Sequence, residues 1–227
     1  MLKEVLLPTA YLPPAGYFSL IAGAEKLLIE KQENYVKQTL RNRCSILSAN
    51  GPVSLSVPVK KGDSLKTSIK DAAIDYSKRW QQVHVRAISA AYGRSPYFQF
   101  YFAEFEKTIL KRHKYLIELN DELLSRCLEI LKIETPVLST SYFLNPGNAE
   151  NDFRYKSLPV AESRSYIQVF PSEEFINGLS IIDLIFNVGP EAVNYLDLHP
   201  PRGGPGPPLG DLGGDYINKG LPEQPLK

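Results

Sequence analysis

Leu7-Pro8-Thr9-Ala10-Tyr11-Leu12-Pro13-Pro14-Ala15-Gly16-Tyr17-Phe18 is the stretch on which the reading of this chain turns. The apolar run Val5-Leu6-Leu7 before it reads as a buried first strand. Pro8, Pro13 and Pro14 fix φ and remove backbone donors, so the corner that follows is stiff. Gly16 permits close backbone approach where the chain enters Tyr17-Phe18-Ser19-Leu20-Ile21-Ala22, an apolar segment that reads as a helix. Strand, rigid loop and helix start together predict a shaped, partly polar pocket rim with Tyr11 and Tyr17 as amphipathic walls. The same residues would also make a plain proline-rich turn whose tyrosines only pack.

Outward from that corner, Lys26-Leu27-Leu28-Ile29-Glu30 reads as a second strand. A helix between two short apolar strands is the βαβ pattern and favours a parallel sheet. Arg41–Leu47 and Val53–Val59 flank Asn50-Gly51, a hairpin signal because both residues tolerate positive φ. In the second arm Leu55, Val57 and Val59 alternate with Ser54, Ser56 and Pro58, giving one buried and one wet face. If Arg41 and Arg43 both lie on the first arm they share a face, with Lys60 and Lys61 returning nearby. Paired guanidinium forks suit phosphate or carboxylate; paired surface arginines also serve solubility alone.

Lys78–Tyr92 has helical spacing, with Trp80, Val83, His84, Ala87, Ile88 and Ala91 in one stripe and Gly93 as its stop. His84 within an apolar stripe is either a hydrogen-bonded core residue or a general base on a cleft wall, its unperturbed pKa of about 6.5 suiting proton transfer. Ser95-Pro96-Tyr97-Phe98 opens an aromatic helix, and Asn120-Asp121-Glu122 reads as the start of the next. Cys127 falls on the apolar stripe of that last helix. Val137-Leu138-Ser139-Thr140 reads as a strand ending in hydroxyls, which more often just make a turn but also lie at the end where α/β sheets hold ligands. Tyr166–Phe170 reads as a late strand, and Ser180 to Asp183 as a helix start with Asp183 in its first turn. Beyond Pro200 the chain is rich in Pro and Gly and is expected to be a flexible tail. The expected organisation is one α/β domain over residues 1–196, with a short, mostly parallel sheet, an early inserted β-hairpin and a central helical cluster, followed by the 197–227 tail.

Composition narrows the function. The 227 residues are 43% hydrophobic and carry a formal net charge of +1, against the usual basic nucleic-acid binder. The balance is uneven, however: residues 31–94 hold twelve basic and four acidic side chains, enough to focus potential toward an anionic ligand. Arg94 among its aromatic neighbours offers a surface for single-stranded nucleic acid, which the near-zero net charge opposes. No apolar run approaches the ~20 residues of a membrane span and Leu2-Lys3-Glu4 opens no signal peptide, so a cytoplasmic location is expected. Cys44 and Cys127, far apart, signal neither a disulfide framework nor a metal site. Walker, G-x-G-x-x-G, H-E-x-x-H and G-x-S-x-G motifs are missing from the sequence, which names no cofactor.

An ordered series of motifs carries a resemblance. Pro8-x-x-Tyr11-Leu12-Pro13-x-x-Gly16-Tyr17-Phe18, Arg41-Asn42-Arg43, Val57-Pro58-Val59, Trp80-x-x-x-His84, Ser95-Pro96-Tyr97-Phe98 with Tyr101, Tyr166–Phe170 and Leu179–Asn187 follow one another as in the bacterial WbqC-like family. The chain resembles that family from about Val5 to Leu196. Where many of its members carry a polar pair before the first proline, this sequence has Leu6-Leu7. The resemblance implies a transferase that places an acyl or aminoacyl group on an activated sugar in surface-polysaccharide (O-antigen-type) biosynthesis. In that picture the partner is a small anionic substrate such as a nucleotide-sugar; the near-neutral charge argues against nucleic acid, and the sequence singles out no metal ligand. Arg41, Asn42, Arg43 and Lys60 would hold its anionic group, Tyr11, Gly16 and Tyr17 would frame the sugar, and His84 would move a proton. The competing expectation is a non-catalytic ligand-binding or scaffold protein of the same pathway.

Overall fold

The computed structural model describes residues 2–61, 66–146, 148–149, 151–156, 158, 165–170 and 174–196. The expected 197–227 tail lies outside the described residues. Strand β1 (Val5–Pro8), helix α1 (Ala15–Ala22) and strand β2 (Leu27–Glu30) form the anticipated βαβ unit, with Val5 opposite Leu27 and Pro8 opposite Glu30 in parallel register. Strand β5 (Val137–Ser139) adds to β2 in the same direction, giving a three-stranded parallel sheet of order β1-β2-β5. Tyr17, Phe18, Leu20 and Ile21 of α1 are all buried, so this short helix is an interior element.

Strands β3 (Arg43–Ser48) and β4 (Gly51–Ser56) make a separate antiparallel hairpin, Arg43 facing Ser56 and Ser48 facing Gly51. The two loop residues are therefore Ala49 and Asn50, one position earlier than the Asn-Gly signal implies. Gly51 supplies the positive φ of +98° just after the turn. On the returning arm Leu55 and Val57 are buried and Ser54 and Ser56 exposed, as the alternation predicts.

Helices α2 (Trp80–Tyr92), α3 (Phe98–Leu110), α4 (Leu116–Leu131) and α5 (Ile181–Val188) build the central cluster. Phe186 of α5 joins them, its ring centroid 5.5 Å from Tyr92, 5.3 Å from Phe98 and 5.7 Å from Phe105. In α2 the buried stripe is Trp80, Gln81, His84, Ile88, Ala91 and Tyr92, while Val83 is 60% exposed. Gln81 takes the inner place because its amide donates to the Ile109 carbonyl at 2.6 Å and ties α2 to the end of α3.

Three expectations are corrected. Helix α4 begins a turn earlier than Asn120, because the Glu118 carboxylate accepts from the backbone of Lys114 and Tyr115 and closes the helix start there. Residues 166–170 are not a strand; the Gln168 side chain takes the place of a ladder, donating to the Ile176 carbonyl at 2.9 Å and accepting from the Ile176 N–H at 3.0 Å. The proline corner is interior rather than a rim. Tyr11 N–H donates to Leu40, Ile181 N–H donates to Pro13, and Pro14 bridges to Ser180, so α5 and the chain before β3 cover it. Leu12 holds a positive φ of 42° there, a conformation costly for a non-glycine residue and kept by the surrounding contacts.

Candidate functional site

In a parallel sheet every carboxyl end lies on one edge, and there the backbone leaves the ladder and side chains can converge. In this chain that edge carries Thr9 after β1, Glu30 to Glu33 at the end of β2 and Thr140 after β5. A further extended piece lies along β1: Leu6 N–H donates to Asn151, Phe153 N–H donates to Leu6, and Leu6 bridges Asp152 in parallel sense. Asp152 and Arg154, two apart, are thereby brought to the same edge.

There they form a buried cluster. Arg154 Nε and Nη2 bind the two oxygens of Asp152 at 3.0 and 2.7 Å, and Nη1 reaches Glu30 Oε2 at 2.7 Å. Glu30 Oε1 accepts from the Thr140 hydroxyl at 2.6 Å and from the Gln32 N–H at 2.8 Å. Beside it Arg41 makes a two-pronged pair with Glu33, Nε to Oε1 at 2.7 Å and Nη2 to Oε2 at 2.5 Å. Asn120 of α4 bridges the cluster to β1, donating to Thr9 Oγ1 at 3.1 Å and to the Arg41 carbonyl at 2.9 Å. Side chains of Arg41, Glu33, Arg154 and Glu30 are all at most 3% exposed.

Aromatic rings roof these charges. Tyr155, 50% exposed, has Arg41 5.8 Å and Arg154 5.6 Å from its ring centroid, and Phe143 has Arg154 at 5.2 Å. Burial and the Glu33 charge push the Tyr155 phenol up, so it stays protonated and donates. Burial works to raise Asp152, but the hydrogen bonds and charge of Arg154 outweigh it and hold the carboxyl below its usual range. This edge combines stacking faces, fixed donors and fixed acceptors, the chemistry that grips a polar ring.

The sequence-predicted residues divide around this cluster. Arg41 belongs to it. Tyr17 adjoins it: its hydroxyl donates to the Pro8 carbonyl at 2.8 Å, and burial, followed by the charges of Asp121 and Glu33, raises its pKa against the opposing charge of Arg41. Gly16 is buried in the first turn of α1. Arg41 does not share a strand face with Arg43, because β3 starts only at Arg43; Arg43 instead donates to the Ser56 hydroxyl at 2.9 Å. Asn42 is tied to the hairpin, donating to Val57 at 3.0 Å and accepting from Gln38. Lys60 is exposed, its backbone N–H donating to Ala73 and its charge felt by Asp75.

Tyr11 and His84 meet each other instead. The Tyr11 hydroxyl lies 2.8 Å from His84 Nδ1, and Trp80 packs edge-on against the imidazole at 5.1 Å. His84 is 3% exposed, so of its two sequence readings the geometry is that of a satisfied core residue, not of a group on a cleft wall. Burial pulls it down to about 4, opposed in part by the Ser56 backbone. The imidazole is therefore neutral near pH 7.

Sequence reasoning missed Glu30, Glu33, Asn120, Asp152, Arg154 and Tyr155. An acid directly after Leu27-Leu28-Ile29 and the Asp-x-Arg spacing were the available signals. Among the described residues no group of three or more His, Cys, Asp or Glu is placed to hold a metal ion, and no helix is long and apolar enough to cross a membrane.

Fold and site together define a mixed α/β protein with a buried arginine–carboxylate cluster at the carboxyl edge of a small parallel sheet. The profile of the WbqC-like protein family matches residues 9–169 and 149–195, and the chain belongs to that family. It is also similar to an uncharacterised protein of Mycobacterium tuberculosis, 29% identical over 230 residues, covering 86% of this chain and 98% of the relative. No solved structure matches the chain.

Proposed function

We propose that this WbqC-like protein is a transferase that passes an acyl or aminoacyl group to an activated sugar during surface-polysaccharide biosynthesis, and that the sugar sits at the carboxyl edge of the parallel sheet. The observation that carries this reading is the buried Arg41–Glu33 and Arg154–Glu30–Asp152 set beneath the half-exposed rings of Phe143 and Tyr155. Rings of that kind stack on sugar faces, while fixed carboxylates and guanidiniums beneath them order hydroxyl groups. Tyr155 is the hydroxyl that meets the substrate, held 3.5 Å from Glu33. Tyr17 and Arg41 shape the floor, and the His84–Tyr11 pair braces the corner that positions them.

A second reading, a ligand-binding protein without turnover, is favoured by one observation. Both guanidinium forks and every oxygen of the three carboxylates are already engaged within the protein. Incubating the full chain with an activated acyl donor and a nucleotide-sugar, and following the sugar by mass, separates the two. Acylated sugar lost in Tyr155→Ala supports the transferase. A saturable shift in melting temperature with no new mass supports the binding protein.

A further inference from the structure

Three buried carboxylates, Glu30, Glu33 and Asp152, meet only two buried guanidiniums, Arg41 and Arg154. Lysines stand only at the rim: Lys31 is paired with Asp121 at 2.6 Å, Lys70 donates to Gln32, and Lys156 lies over the Phe153 ring, from where its charge helps to lower Asp152. Among the buried side chains of the site carboxylates therefore outnumber guanidiniums by one, a surplus that Lys156 offsets only from the rim, in surroundings where charge is weakly screened. Asn120 supplies an independent observation. Its nitrogen is spent on Thr9 and the Arg41 carbonyl, but its Oδ1, on a side chain buried in the same cluster, has no hydrogen-bond partner. A buried acceptor left unmade is costly and calls for a donor.

Surplus negative charge and an orphan acceptor together select among ligands. A sugar hydroxyl would satisfy Asn120 Oδ1 and leave the charge. A carboxylate or phosphate placed there would add to the charge. An ammonium answers both demands at once. We propose that the sugar taken at this edge carries a free amino group, which enters as an ammonium and seats against Asn120 Oδ1 beside Glu33. The proposal rests on the sugar-binding reading given above. Because Asn120 is closed to solvent, entry requires side chains of the cluster to move, and Tyr155 over Arg41 is half-exposed.

Calorimetric titration of the full chain with UDP-glucosamine, UDP-glucose and UDP-N-acetylglucosamine tests it. The free amine should bind about tenfold or more tightly than either of the others at pH 7, the gain of one charged hydrogen bond. That advantage should fade as pH rises and the ligand's amine loses its proton. Asn120→Leu should erase it, and because the pH series uses the unaltered protein, a variant that fails to fold leaves the test standing. Equal or weaker binding of the amine, or an advantage independent of pH, overturns the amine proposal and leaves the sugar reading intact. Binding of none of the three removes both.

Discussion

Arg154 Nη1 donates to Glu30 Oε2 at 2.7 Å, across 124 residues of chain and with both side chains fully buried. This pair ties the loop after β5 to the end of the first βαβ unit, and with Asp152 it makes the floor of the candidate site. Removing one partner of such a pair strands an opposite charge in the interior.

Arg154→Ala should therefore destabilise by about 3–5 kcal/mol, while a surface exchange such as Lys60→Ala should stay within about 0.5 kcal/mol. Urea unfolding of both variants measures the difference. Arg154→Ala combined with Glu30→Gln should cost less than the sum of the single changes, because the second change removes one of the carboxylates that the first leaves unpaired. Additive costs would show that the pair is not coupled.

His84 predicts a pH effect with a definite sign. Its folded pKa, about 4, lies below the ordinary 6.5, so the unfolded chain binds the extra proton between those values. The resulting stability is fully present above about pH 6.5 and is lost as pH falls toward 4, by roughly 3 kcal/mol in all. Thermal melts from pH 4 to 7.5 should show that limb in the native protein and lose it in His84→Gln. A limb that survives the substitution belongs to other groups.

At the hairpin, Gly51 holds φ +98° and a Cβ built there meets nothing within 4 Å. Gly51→Ala should then cost roughly 1–2 kcal/mol from backbone conformation alone. An unfolding curve shifted by much less would mean that the turn relaxes.

Phe143→Ala and Tyr155→Ala remove partly exposed rings, so folding should weaken by no more than about 1 kcal/mol each, the scale of the cation–π contacts they give up. Binding of a nucleotide-sugar, read by calorimetry, should fall by tenfold or more in Tyr155→Ala if this edge is the site. Undiminished binding would place the ligand elsewhere.

Local pattern by itself determined the elements that depend on neighbours in the chain. Apolar runs with a helix between them specify β1, α1 and β2; alternation specifies the hairpin; Trp80 to Tyr92 has one helical stripe. These signals arise within a few residues, where backbone preference and side-chain period act directly. Even there, Val83 and Gln81 exchange inside for outside, because the Gln81 amide finds a carbonyl on another helix. The hydroxyls after Val137-Leu138 were legible as the end of a strand, and Thr140 there donates to Glu30 in the cluster.

What only the tertiary structure decided is which charges meet. Arg41 reads in sequence as half of a surface pair with Arg43, yet it turns inward to Glu33, while His84 turns inward to Tyr11. Glu30, Asp152 and Arg154 look like ordinary surface charge until the parallel register of Leu6 with Asp152 carries them to one edge. The physical reason is that burying a charge is favourable only when its partner is already in place. For Arg154 the Glu30 partner lies 124 residues away, where no local period can announce it.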